Sequence, residues 1–172
     1  MRLSSSLLAG LGGALTLTLM QELLKRTDTN APRLDLLGKQ ATSKLLKKAG
    51  KTGLSEKQVY ATSLAGDLLF NTMYFSLAGI KSKKAAATGG LLGTGMGMAA
   101  IMLPKLLHLN ANYSGGNNKR KYMTMGMYIA GGLVTAGLVY LLNKEKVRHL
   151  FSHNGHPLHQ PGEEKPILDI TV

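Results

Sequence analysis

The chain contains no cysteine and no tryptophan, and only 9 of its 172 residues are acidic. Without cysteine there are no disulfides, thiolate metal sites, iron–sulfur clusters or cysteine nucleophiles. Without tryptophan, any aromatic belt at a membrane surface rests on tyrosine. The clearest absence is local. Of 21 basic and 9 acidic residues, only Asp67 falls inside four long apolar stretches. That excludes intrinsic disorder, and it excludes a soluble domain with charge spread along its helices. The apolar content of 44 % and the mean hydropathy of +0.02 are ordinary; the arrangement is not.

The uncharged stretches run from Leu3 to Gln21, Val59 to Ile80 (interrupted by Asp67), Ala85 to Pro104 and Tyr122 to Asn143. A hydrocarbon core about 30 Å thick takes roughly 20 helical residues. Period-2 alternation is absent, which removes a barrel. The pattern predicts an all-α integral membrane four-helix bundle with spans over about 3–24, 56–80, 85–108 and 122–143. Lys25 and Arg26 directly after the first span suit a retained anchor better than a cleaved signal. Ser55-Glu56-Lys57-Gln58 fits a capping box that starts the second helix. Tyr60, Tyr122 and Tyr140 sit near span ends, where amphipathic rings prefer the interface.

The first connection is the longest. Asn30-Ala31-Pro32 reads as a helix start, with asparagine as cap and proline in the first turn. Apolar positions then recur at Leu34, Leu37, Ala41, Leu45 and Ala49. Lys39, Lys44, Lys47, Lys48 and Lys51 fill much of the remainder. This is a basic amphipathic interfacial helix over about 31–50, suited to the anionic headgroups of a bilayer. Lys81-Ser82-Lys83-Lys84 forms a tight basic turn, and Asn110 to Lys121 reads as a loop. Residues 151–172 read as a mobile polar tail. The first and third loops, with 13 of the 21 basic residues, are assigned to the cytoplasmic side.

Few residues carry chemistry. The net charge of +12 does not indicate nucleic acid, because the basic residues flank the spans and no aromatics are interleaved for base stacking. Small residues repeat every four positions: Gly89, Gly93 and Gly97 in span three, and Ser6, Gly10 and Ala14 in span one. Such a face lets backbones approach closely, either within one bundle or between protomers of a homo-oligomer. His149 and His153 have metal-like spacing, but Gly155 and Pro157 break the scaffold, and incidental tail histidines are favoured. No cofactor is expected.

Asp67 is the most informative residue, since an aspartate inside a span costs several kcal/mol. Ser63, Asp67, Asn71 and Tyr74 share one helical face and form a polar stripe. Glu22 closes span one on the same side, and Arg33 is a natural partner for either carboxylate. The stripe serves either a proton or cation relay, or a buried network that fixes helix register. Nothing nearby suggests a nucleophile or an oxyanion site, so an enzyme is disfavoured.

Two segments, LAGLGGALTLTLMQELLKRTDTNAPRLDLL from Leu8 to Leu37 and LAGDLLFNTMY from Leu64 to Tyr74, resemble a group of small, uncharacterised four-span bacterial inner-membrane proteins. Glu22, Ala31-Pro32-Arg33, Asp35, Asp67 and Asn71 carry the likeness. It implies a bacterial inner membrane and no known activity. The expected function is a non-enzymatic packing or accessory subunit. The alternative is a small transporter or channel-like protein using the stripe around Asp67.

Overall fold

The computed structural model describes residues 3–51, 53–79 and 84–152. Six α-helices make up most of it: α1 (Leu3–Thr27), α2 (Leu34–Lys48), α3 (Glu56–Ser76), α4 (Ala85–Leu106), α5 (Asn112–Gly115) and α6 (Asn118–Ser152). A 3-10 turn, Leu77–Gly79, follows α3. There is no strand among the described residues, in keeping with the all-α expectation. Three helices are long and apolar enough to cross a membrane: α1, α4 and the segment Asn118–Lys144 of α6. α3 is 21 residues long but is too polar to join them, because Glu56, Lys57, Asp67 and several hydroxyl and amide side chains dilute its apolar content.

Contacts set the order of the helices. α1 packs on both α3 and α6, and α4 packs on α6. α3 and α4 meet at few points, so the expected four-helix bundle is open along that edge. The directions follow from which residues meet. Ala9 clusters with Ala136 and Val139, whereas Leu17 clusters with Met127 and Tyr128. α1 is therefore antiparallel to α6. Gly89 lies against Gly132 and Gly97 against Met125, so α4 is antiparallel to α6 as well. Hence α1 and α4 run the same way. α3 runs back along α1, with Gly10 against Thr72 and Ser76, and Gly79 against Ser6.

What is inside and what is outside departs from the pattern of a water-soluble fold. Ser6, Ser63, Asn71, Thr124 and Thr135 are buried, while Leu8, Leu19, Leu69, Met73, Leu91 and Leu141 are exposed. Small and polar side chains join Leu17, Phe75, Met127 and Val139 in the helix contacts, while many large apolar ones face outward, as packing in lipid favours.

The small-residue face lies in these contacts. A Cβ on Gly93 would come within 2.5 Å of the Tyr128 carbonyl oxygen, and one on Gly97 within 2.7 Å of Met125 Sδ. Gly89 abuts the Gly132 backbone, and Ala14 is buried on α1. The Gly89, Gly93 and Gly97 face thus seats α6 of the same chain.

Local signals at the helix ends are partly as expected. The capping box at α3 is complete: Gln58 N–H donates to Ser55 Oγ at 3.3 Å, and Ser55 N–H to Gln58 Oε1 at 2.8 Å. α2 does not begin at Asn30. It starts at Leu34, because Arg33 N–H donates to the Tyr113 carbonyl at 2.8 Å and holds the preceding residues against α5. The segment from Asn110 to Lys121 is not all loop, since α5 and the first turn of α6 lie within it. His153 and the rest of the tail, like Lys81, Ser82 and Lys83, lie outside the described residues, and His149 falls near the end of α6.

Candidate functional site

The polar stripe becomes a site only where a third element crosses it. At the end where α1 finishes and α3 begins, α2 packs on α3 and reaches α1 through the Asp35–Lys25 ion pair. Their junction encloses a cavity of about 50 Å³, lined by Thr18, Gln21, Glu22 and Lys25 of α1, Asp35 and Gly38 of α2, and Tyr60, Ser63 and Asp67 of α3, among others. Helical spacing explains the set. Positions 18, 21, 22 and 25 share one face of α1, and 60, 63 and 67 share one face of α3.

The charges are arranged in pairs. Lys25 Nζ lies 2.7 Å from Glu22 and 3.6 Å from Asp35. Arg26 adds a second contact to Glu22 at 3.2 Å. Arg33 pairs with Asp35 at 3.3 Å. Arg33 therefore serves neither Glu22 nor Asp67, a correction to the expected pairing; its own neighbour two residues on captures it first. Burial pushes the Asp35 carboxyl up, but the hydrogen bond from Arg33, the charges of Lys25 and Arg33 and the Leu36 amide outweigh it. Asp35 is held below the ordinary aspartate value.

Asp67 differs from the other two carboxylates. Its Oδ1 accepts from Asn71 Nδ2 at 3.0 Å, and the same amide nitrogen also donates to the Asp67 carbonyl at 2.9 Å. Among the described residues no basic group lies within ion-pair distance of it. Asp67 is an exposed residue that also lines the cavity. One turn further along α3, Asn71 is 1 % exposed and is not part of the lining.

The expected residues thus divide. Glu22, Ser63 and Asp67 meet in the cavity, and Asn71 supports Asp67 from behind. Tyr74 sits elsewhere: its hydroxyl donates to the Leu92 carbonyl at 3.1 Å and bridges α3 to α4. Sequence reasoning misses Gln21 and Lys25 as lining residues. Their spacing from Thr18 along α1 is the signal that finds them. It also misses Arg120, which donates to the carbonyls of Asn30 at 3.1 Å and Asn112 at 2.6 Å and closes this end of the molecule. Two of the expected headgroup lysines are engaged within the chain. Lys39 pairs with Glu56 at 2.9 Å, and Lys44 donates to the Leu107 carbonyl at 2.7 Å. Lys47 and Lys48 are exposed.

Among the described residues no three histidine, aspartate or glutamate side chains gather closely enough to share a metal ion. No protein-family model, curated protein or solved structure matches the chain.

Proposed function

We propose that the chain is a four-span integral membrane protein acting as a non-enzymatic packing or accessory subunit, in a bacterial inner membrane as the likeness of its first two spans implies. The running direction of the helices supports the fourth span. α1 and α4 point the same way, so the chain must recross the bilayer between them, and α3 is the helix that lies there. Its outward residues Leu69, Phe70 and Met73 are apolar and exposed, as a lipid-facing surface requires.

The observation that carries the subunit reading is the closure of the polar stripe. The cavity is lined as far along α3 as Asp67, and Asn71, one turn on, is buried and outside the lining, while α4 and α6 are locked backbone to backbone through glycine. A single chain of this kind is a scaffold with a polar recess. Purified protein in liposomes should pass neither protons nor small cations above the level of protein-free vesicles. Flux that disappears in Asp67→Asn would overturn this reading in favour of the transporter. That alternative draws its support from the exposed Asp67 carboxylate.

α2 is the interfacial helix of this reading. No residue of it is buried, and a groove of about 330 Å³ runs between it and the end of α4, with Leu45 and Leu106 in its walls and Lys44 and Lys48 among its lining. An apolar floor beside lysines fits lipid chains and anionic headgroups.

A further inference from the structure

We propose that the cavity between α1, α2 and α3 binds the ammonium group of a primary amine, with Asp67 as counter-charge and Gln21 and Ser63 as hydrogen-bond acceptors.

Three carboxylates line the cavity, and two are already neutralised. Glu22 has Lys25 and Arg26, and Asp35 has Arg33 and Lys25. Asp67 has one amide on one oxygen. The lining therefore has one negative charge without a cation among the described residues. Two further groups have unspent hydrogen-bonding capacity. Gln21 is 9 % exposed and Ser63 is 6 % exposed. Neither side chain is hydrogen-bonded to any described residue, yet both line the cavity. Ser63 Oγ projects towards α2, where a Cβ on Gly38 would lie 2.7 Å from it. Neither is among the fully buried unpartnered polar atoms, so both open to the cavity and are free to bind what enters it.

The occupant's chemistry follows from the donor count. A metal ion would need ligands that do not converge here. An ammonium carries one positive charge and three N–H donors, which suits a carboxylate, an amide oxygen and a hydroxyl oxygen. A cavity of about 50 Å³ is several times the minimum that holds one water, enough for a methylammonium-sized group. Leu34 and Leu64 in the same lining receive the attached carbon. The opening lies at the interfacial end of the bundle, beside α2, so the amine is either a soluble one or that of an ethanolamine-type phospholipid headgroup. A quaternary choline headgroup lacks the N–H donors. This inference goes beyond the subunit reading and does not need it, because an amine site fits a scaffold and a transporter alike.

The test uses the full chain in nanodiscs of choline phospholipid, with thermal unfolding followed by circular dichroism. Methylammonium chloride should raise the unfolding midpoint saturably, and tetramethylammonium chloride at equal ionic strength should not. Asp67→Asn should weaken the apparent affinity about tenfold or more, the size of a lost charged hydrogen bond, and Ser63→Ala should weaken it less. Asp28→Asn, which removes a carboxylate outside the cavity, should respond as the parent does. If part of the lipid is replaced by the ethanolamine form and the midpoint rises while the methylammonium response is blunted, the source is the headgroup. An unchanged methylammonium response assigns a soluble amine. Equal responses to the two cations, or a full response in Asp67→Asn, would overturn the site. If Asp67→Asn does not fold, the comparison of the two cations on the parent chain still decides.

Discussion

Gly90 and Gly93 stand three residues apart on α4 and differ in what surrounds them. A Cβ on Gly90 meets nothing within 4 Å, whereas one on Gly93 runs into the Tyr128 carbonyl and Ile129 Cα. Gly93→Ala should therefore destabilise the protein by about 1–3 kcal/mol, the usual cost of overpacking. Gly90→Ala should be neutral or gain up to about 1 kcal/mol from helix propensity. Thermal unfolding of the two variants in one detergent measures the difference, and equal midpoints would remove the packing role of the glycine face. The four-residue repeat makes that face legible in the sequence, but the sequence leaves open which helix fills it. His108 was not legible at all. It adopts φ 54°, the left-handed position after α4, where His108 N–H reaches Lys105 O at 3.3 Å and Leu109 N–H reaches Pro104 O at 2.7 Å. α2 ends with the same bond pattern but has Gly50, at φ 73°, in that place. A β-branched residue tolerates this conformation poorly. His108→Val should lower the midpoint, and His108→Gly should hold or raise it, with a stability gain of about 1 kcal/mol at most in the second case.

At the scale of the helix, α2 shows how far periodicity carries and where it stops. Its apolar positions and lysines locate it in the sequence, and the observed helix lies within the expected 31–50. Its start lies later than the sequence predicts because a distant partner, the Tyr113 carbonyl, outcompetes the local cap. The charge pairs were misread for the opposite reason: Arg33 prefers the near Asp35 to the distant Asp67. Asp35, at 14 % side-chain exposure, ties α2 to Lys25 of α1. Its pKa is lower in the folded protein than the ordinary 3.8. A depressed carboxylate contributes stability that is fully present above its unfolded value and is lost as pH falls through the folded one. α2 should therefore stay docked at neutral pH and loosen below about pH 3.8, the ordinary aspartate value. Amide hydrogen exchange, corrected for its intrinsic pH dependence, should show α2 losing protection in that range before α4 and α6 do. In Asp35→Asn, α2 should already be loose at neutral pH, with little further change on acidification.

For the whole molecule, the polarity of α3 is what composition alone handles badly. By itself it is too polar to cross a bilayer, and among the described residues only α1, α4 and the Asn118–Lys144 part of α6 are long and apolar enough. Part of its polar content is turned inward, however: Ser63, Asn71 and Ser76 are buried, while Tyr60, Thr62 and Asp67 are exposed. Asp67 opens into the cavity. A residue that faces protein or a water-sized recess does not incur the full cost of a charge in hydrocarbon. Direction supports the proposed fourth span where hydropathy does not: α1 and α4 are parallel, and if both cross the bilayer the chain must return in between. Single cysteines in this cysteine-free background read that out directly. With a membrane-impermeant thiol reagent, Ser43→Cys on α2 and Asn117→Cys before α6 should label from one side of the membrane, and Lys84→Cys before α4 from the other. If α3 lay on the surface instead, Ser43 and Lys84 would label together, and α4 would have to run antiparallel to α1. That arrangement is incompatible with both helices packing antiparallel on α6, so common labelling of those two positions would count against the fold as well as the topology.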